Sequence, residues 1–151
     1  MGIYMSVNVF FFVNLRIFFS RKGHNWERRY LGIKKIGGKF MKIRLKKINN
    51  NLVVYPTGEI DHHTAEKLRL VIDSKFENLC AKNIIVDFNE VSFMDSSGIG
   101  MIIGRYKHAN NHGGKVVVSG VSDAMRKIFT LSGLGRIISI YTTVDEAINN
   151  I

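Results

Sequence analysis

The strongest constraint in this chain is a short apolar run that gives way, at a cluster of hydroxyls, to a helical pattern. Asn83-Ile84-Ile85-Val86-Asp87-Phe88 is β-branched and brief, as a strand buried on both faces should be. Beyond it, Phe93-Met94-Asp95-Ser96-Ser97-Gly98-Ile99-Gly100 opens a helix in which Ile99, Ile102, Ile103 and Tyr106 repeat at i, i+3, i+4 and i+7. Asp95, Ser96 and Ser97 are therefore N-cap candidates at a strand-to-helix seam. A serine there lies among unpaired N–H groups at the positive end of a helix dipole, a place that receives a phosphate well. Taken alone, the pattern favours a plain capped helix start.

The same alternation runs through residues 41–151. Lys42 to Ile48 mixes charged and apolar residues as an exposed first strand does, and Asn49-Asn50-Asn51 is a turn. Leu52 to Tyr55 is a second strand, which Pro56 is expected to end. Asp61 to Thr64 supplies cap chemistry for a helix carrying Leu68, Val71, Ile72 and Phe76. Gly113-Gly114 turns the chain into Lys115 to Val118, Ser122-Asp123 caps a helix bearing Met125, Ile128, Phe129 and Leu131, and Gly133 and Gly135 end it. Ile137 to Tyr141 is a last strand and Thr143 to Ile151 a last helix. An opening hairpin followed by alternating strands and helices predicts an α/β sandwich on a mixed sheet.

Charge and composition exclude several functions. The net charge of +10 suggests nucleic acid until it is divided along the chain. Residues 1–40 hold eight Lys and Arg against one Glu, and residues 41–151 hold fourteen against eleven Asp and Glu. The larger part is thus only mildly basic and has no basic stripe interleaved with aromatics, so no nucleic-acid partner is expected. A single cysteine, Cys80, forbids an internal disulfide, suits a reducing cytoplasm and reads as a semi-buried filler. No Cys–His spacing predicts a metal site and no Gly-rich loop predicts a nucleotide. Ser96 has Asp95 beside it and His62-His63 elsewhere, but no Gly-x-Ser-x-Gly elbow surrounds it, so no catalytic residue is assigned.

Three stretches occur in order: Gly58-Glu59-Ile60-Asp61-His62-His63-Thr64-Ala65-Glu66, Phe93 to Lys107 (FMDSSGIGMIIGRYK) and Leu131-Ser132-Gly133-Leu134. Together they closely resemble the anti-sigma-factor antagonists of the STAS family. The Asp-His-His-Thr-Ala-Glu and Gly-Arg-Tyr-Lys details resemble its sporulation type. The resemblance runs from Met41 to Ile151 and does not touch residues 1–40. It implies a STAS-type sandwich with a mixed sheet of four to five strands and some four helices. It also implies that the unphosphorylated protein binds a cytoplasmic anti-sigma factor that is a serine kinase, and so frees a sigma factor. That kinase would use its own bound ATP to phosphorylate the first serine of Asp-Ser-Ser-Gly, here Ser96, and a PP2C-type phosphatase would reverse the step. No cofactor resides in this chain on that reading. A STAS switch for another partner, in a stress response or a sensor complex, is the alternative.

With Ile99, Ile102, Ile103 and Tyr106 inward, the other side of that helix carries Ser97, Gly100, Met101, Gly104, Arg105 and His108. Gly100 and Gly104, spaced i, i+4, leave a shallow surface for another backbone, or else for close packing on the chain's own sheet. Ser97, Gly100, Met101, Gly104 and Arg105 are thus expected to meet the partner, together with Asp95. Asp61 either helps to position the serine and meet the kinase, or simply caps its helix. A phosphate adds about −1.5 to −2 charge at neutral pH and weakens such a contact by repulsion and desolvation. The helix N-terminus is expected to stabilise the phosphoserine, so that the fold survives.

Residues 1–40 read differently. Val7 to Phe19 is apolar but holds Asn8, Asn14 and Arg16, and its thirteen residues fall short of the span of about 20 that a membrane requires. It lacks the leading positive charge and small-residue cleavage site of a signal peptide. Met1-Gly2 with Ser6 fits a weak myristoylation pattern, and the basic residues from Arg21 to Lys35 suit an interfacial anchor. Against these stands Gly37-Gly38-Lys39-Phe40-Met41, whose glycine codons read GGN-GGN just upstream of an ATG, the position of a bacterial ribosome-binding sequence. The expectation is that residues 1–40 are an untranslated upstream region, with a membrane-peripheral or disordered arm and a small folded domain as alternatives. Intact-mass measurement on the native protein checks this: a chain starting at Met41 is expected, well below the 17.2 kDa of the full sequence.

Overall fold

Alternation makes Lys42–Ile48 a strand, β1, whose Ile43 and Leu45 are buried while Lys42 and Arg44 face solvent. The computed structural model describes residues 41–151, and the readings made above on residues 1–40 lie outside the described residues. From β1 the chain turns at Asn49-Asn50 into β2 (Asn51–Ile60), then α1 (His62–Asn78), β3 (Asn83–Asp87) and β4 (Val91–Met94). α2 (Ser96–Asn111), β5 (Val116–Ser119), α3 (Asp123–Leu131), a 3₁₀ turn (Leu134–Arg136), β6 (Ser139–Tyr141) and α4 (Val144–Asn150) complete it.

The strands form one mixed sheet in the order β1-β2-β3-β5-β6, with β4 paired to β2 beyond the end of β3. β1 and β2 are antiparallel, and every other pairing is parallel. Register aligns Leu52, Ile84 and Val116 in one row, Val53, Ile85 and Val117 in the next, and Val54, Val86 and Val118 in a third. The outer two rows join the large core under α1, α2 and α3, while the middle row packs against Ala147, Val144 and Ile148 of α4. Both faces are therefore covered, which is why these strands are apolar throughout rather than alternating. Each such Val or Ile contributes about 1.5–3 kcal/mol by leaving water.

Three local expectations are corrected. Pro56 does not end its strand; β2 continues to Ile60. On the inner side β2 pairs with β3 only as far as Val54 and takes up β4 at Gly58, so Pro56 falls in a gap where that ladder is absent. Gly58 sits at φ 106, beside the register shift that this change of neighbour produces. The sheet accordingly has a sixth strand, since β4 is separate from β3. Cys80 is exposed rather than semi-buried, because its φ of 47 turns the chain back after α1 and Ala81 takes the interior place.

Gly98 fixes how α2 meets the sheet. A Cβ there would overlap Met94 Cγ and stand 2.7 Å from Met94 Sδ, within a site where Met94 is itself buried. Gly98→Ala is therefore expected to destabilise the domain by about 1–2 kcal/mol, the overpacking exceeding the gain in helix propensity. A lowered urea midpoint at unchanged slope is the measurement.

Candidate functional site

The seam is a pair of strand ends side by side. Ile60 and Met94 are register partners at the ends of β2 and β4, and the Asp95 N–H donates to the Ile60 carbonyl at 3.1 Å. Each strand is followed at once by an aspartate and a helix. Asp61 caps α1, its carboxylate accepting from the Thr64 N–H at 2.9 Å while Thr64 Oγ1 accepts from the Asp61 N–H at 2.7 Å. Asp95 caps α2, its Oδ1 accepting from the N–H groups of Ser97 at 2.7 Å and Gly98 at 3.4 Å. Two helix N-termini thus open at the same end of the sheet.

Ser96 is the first residue of α2 and is exposed; its hydroxyl makes no hydrogen bond among the described residues. Ser97 is half-buried, and its Oγ stands 3.5 Å from His62 Nδ1, joining the starts of the two helices. The two adjacent serines are therefore not equivalent. The N-terminus of α2 presents its dipole at Ser96, while Asp95 Oδ1 holds the Ser97 and Gly98 amides.

Further along α2, Gly100 is exposed and Gly104 half-buried, and a Cβ on either would meet nothing within 4 Å. They face open space and not the sheet. Met101 and Arg105 do not share that surface: they are 5% and 6% exposed. Their expected place on a solvent-facing contact surface is corrected, because α2 buries a second flank against α1. Met101 joins the core, and Arg105 Nε reaches Asp73 Oδ1 of α1 at 2.8 Å. Burial lowers the Arg105 pKa from its ordinary value, with Asp73 opposing that shift and Arg69 adding to it. Phe76 of α1 packs edge-on against His108 of α2 and against His112, which caps the C-terminus of α2, with ring centroids 5.4 and 6.0 Å apart.

Sequence reasoning assigned no role to His62, which touches Ser97, or to Phe93, half of whose surface is exposed beside the seam. Both had a signal: His62 follows one cap as Ser96 follows the other, and Phe93 is an aromatic in a strand too short to bury both faces. Among the described residues no three His, Cys, Asp or Glu side chains converge as metal ligands.

A STAS-domain family model matches residues 42–147. The chain belongs to the STAS family. An anti-sigma F factor antagonist from Paenibacillus polymyxa is 32% identical over 111 residues, which cover 74% of this chain and 95% of that protein. The solved structure of the anti-sigma factor antagonist SpoIIAA in its unphosphorylated form is 33% identical with a TM-score of 0.64, covering 72% of this chain and 94% of that one. SpoIIAA in its phosphorylated form, described as a Bacillus cell fate determinant, is 34% identical with a TM-score of 0.59, covering 72% and 97%. The mixed sheet and four helices of this STAS domain agree with the expected sandwich.

Removing the α2 cap tests the geometry of the seam. Asp95→Ala should cost about 1 kcal/mol, since the Ser97 and Gly98 amides lose their acceptor. The Ser97 and Gly98 amide resonances should show the loss as faster hydrogen exchange, with the core amides of β3 little changed.

Proposed function

We propose that this protein is an anti-sigma-factor antagonist of the sporulation type, switched by phosphorylation of Ser96. Unphosphorylated, it docks on a cytoplasmic anti-sigma factor that is also a serine kinase, and the sigma factor is released. The kinase transfers the γ-phosphoryl group of its bound ATP to Ser96 Oγ, and a PP2C-type phosphatase removes it. The chain acts by binding and is itself the substrate. No described helix is long and apolar enough to cross a membrane.

The observation that carries this reading is the exposed Ser96 hydroxyl at the junction of two helix N-termini, beside a helix surface bared by Gly100 and Gly104. No described side chain hydrogen-bonds that hydroxyl, so it is presented to another protein and not activated in place. The docking surface comprises Asp61, Asp95, Ser96, Ser97, Gly100 and Gly104. Glu59, Asp61, Glu66 and Asp95 already make the two seam segments acidic, and residues 58–66 and 91–100 contain no Lys or Arg. A phosphate therefore adds like charge to an acidic rim, and the amides that would have absorbed it are taken by Asp95. Its charge falls on the partner.

Calorimetry against the cognate anti-sigma factor and ATP tests the switch. Ser96→Ala should bind with wild-type affinity and stay bound under phosphorylating conditions. Ser96→Asp should bind more weakly by about tenfold, roughly 1.4 kcal/mol, with an unchanged unfolding midpoint. Equal affinity for Ser96→Asp and wild type would overturn the electrostatic reading. Phosphate that mass spectrometry maps to Ser97 would overturn the assignment.

A further inference from the structure

Among the described residues, the two seam segments 58–66 and 91–100 are acidic and hold two groups able to become cationic, His62 and His63. Both are exposed in the first turn of α1, with rings 5.6 Å apart, but His62 is the one whose Nδ1 reaches across to α2, 3.5 Å from Ser97 Oγ. The residue it reaches is the chain neighbour of Ser96, at the same helix start. Arg105, the cation buried in α2, is held by Asp73 in the middle of the helix pair and is not at this end. We infer that His62 is the counter-charge of phosphorylated Ser96, taking up a proton from solvent when the phosphate arrives and so making the switch sensitive to pH. The inference rests on Ser96 being the phosphorylated residue.

Among the described residues, the other titratable groups of the two seam segments are Asp61, His63 and Glu66 at the start of α1, Glu59 near the end of β2 and Asp95 at the cap of α2. Before phosphorylation the aspartates are committed to caps, and the His62 ring meets a neutral hydroxyl. A dianion added one residue away favours imidazolium, and imidazolium in turn favours the fully ionised phosphate. The midpoint of His62 rises and the second ionisation of the phosphate falls. As pH rises through the new His62 midpoint the ring loses its proton, and the phosphate loses that counter-charge. Repulsion of the partner is then strongest on the alkaline side. Below that midpoint His62 screens the phosphate and the switch is softer.

The test uses the full chain with phosphoserine encoded at position 96, so that it does not depend on any kinase. NMR titration from pH 5 to 9 follows the imidazole C–H resonances and the ³¹P resonance. The His62 midpoint should rise by about one pH unit relative to the unphosphorylated protein, and that of His63 by clearly less. In the His62→Gln variant, whose fold is checked by its amide spectrum, the ³¹P midpoint should move up toward that of free phosphoserine, about 6. A His62 shift no larger than that of His63, or a ³¹P midpoint unmoved by His62→Gln, would overturn the inference and leave the proposed function standing. Failure of the cognate kinase to modify Ser96 would instead strike at the proposed function.

Discussion

The hydrogen bond from the Asp95 N–H to the Ile60 carbonyl, 3.1 Å long, closes the short parallel ladder between β2 and β4. It sets the end of one strand beside the end of the other, so that two aspartate-capped helices leave the sheet together. Everything at the seam follows from that alignment. Were β4 one residue out of register, its side chains would exchange faces, and Met94 would leave the pocket over which Gly98 crosses. The arrangement begins upstream, where β2 releases β3 after Val54 and takes β4 at Gly58. Glu90 secures the start of β4 from outside, accepting from Arg44 at 2.6 Å and from Thr57 at 2.8 Å.

Much of this was legible in the residues, for local reasons. β-branched runs announced the buried strands, and Asp61, Asp95 and Ser122 announced helix starts, because cap chemistry is satisfied within three or four residues. The exposed Ser96 followed from position alone. What the sequence concealed was decided by partners distant along the chain. Arg105 looks like a surface residue until Asp73, 32 positions earlier, is brought against it by the packing of α1 on α2. Met101 was assigned outward on a single apolar face, whereas α2 buries two. Pro56 looks like a strand end under the rule that a strand keeps one neighbour throughout, and here the neighbour changes.

Asp95 already holds the Ser97 and Gly98 amides, so on the proposed function a phosphate on Ser96 would add its charge at the exposed start of α2. Ser96 and Ser97 divide the labour: one hydroxyl is offered outward, and the other joins the two helices through His62. Arg105 and Asp73 pair deeper between the same helices, at 2.8 Å.

The bare stretch at Gly100 and Gly104 has a further consequence, which concerns entropy. A helix face without side chains has no rotamers to immobilise when a partner arrives, and each ordered long side chain at an interface typically costs about 0.5–1.5 kcal/mol. Part of that cost was met when the helix folded around two glycines, whose backbone freedom was lost then and not on docking. On the proposed function, a contact made on such a face would need little area to hold, and a single phosphate would weigh correspondingly more against it.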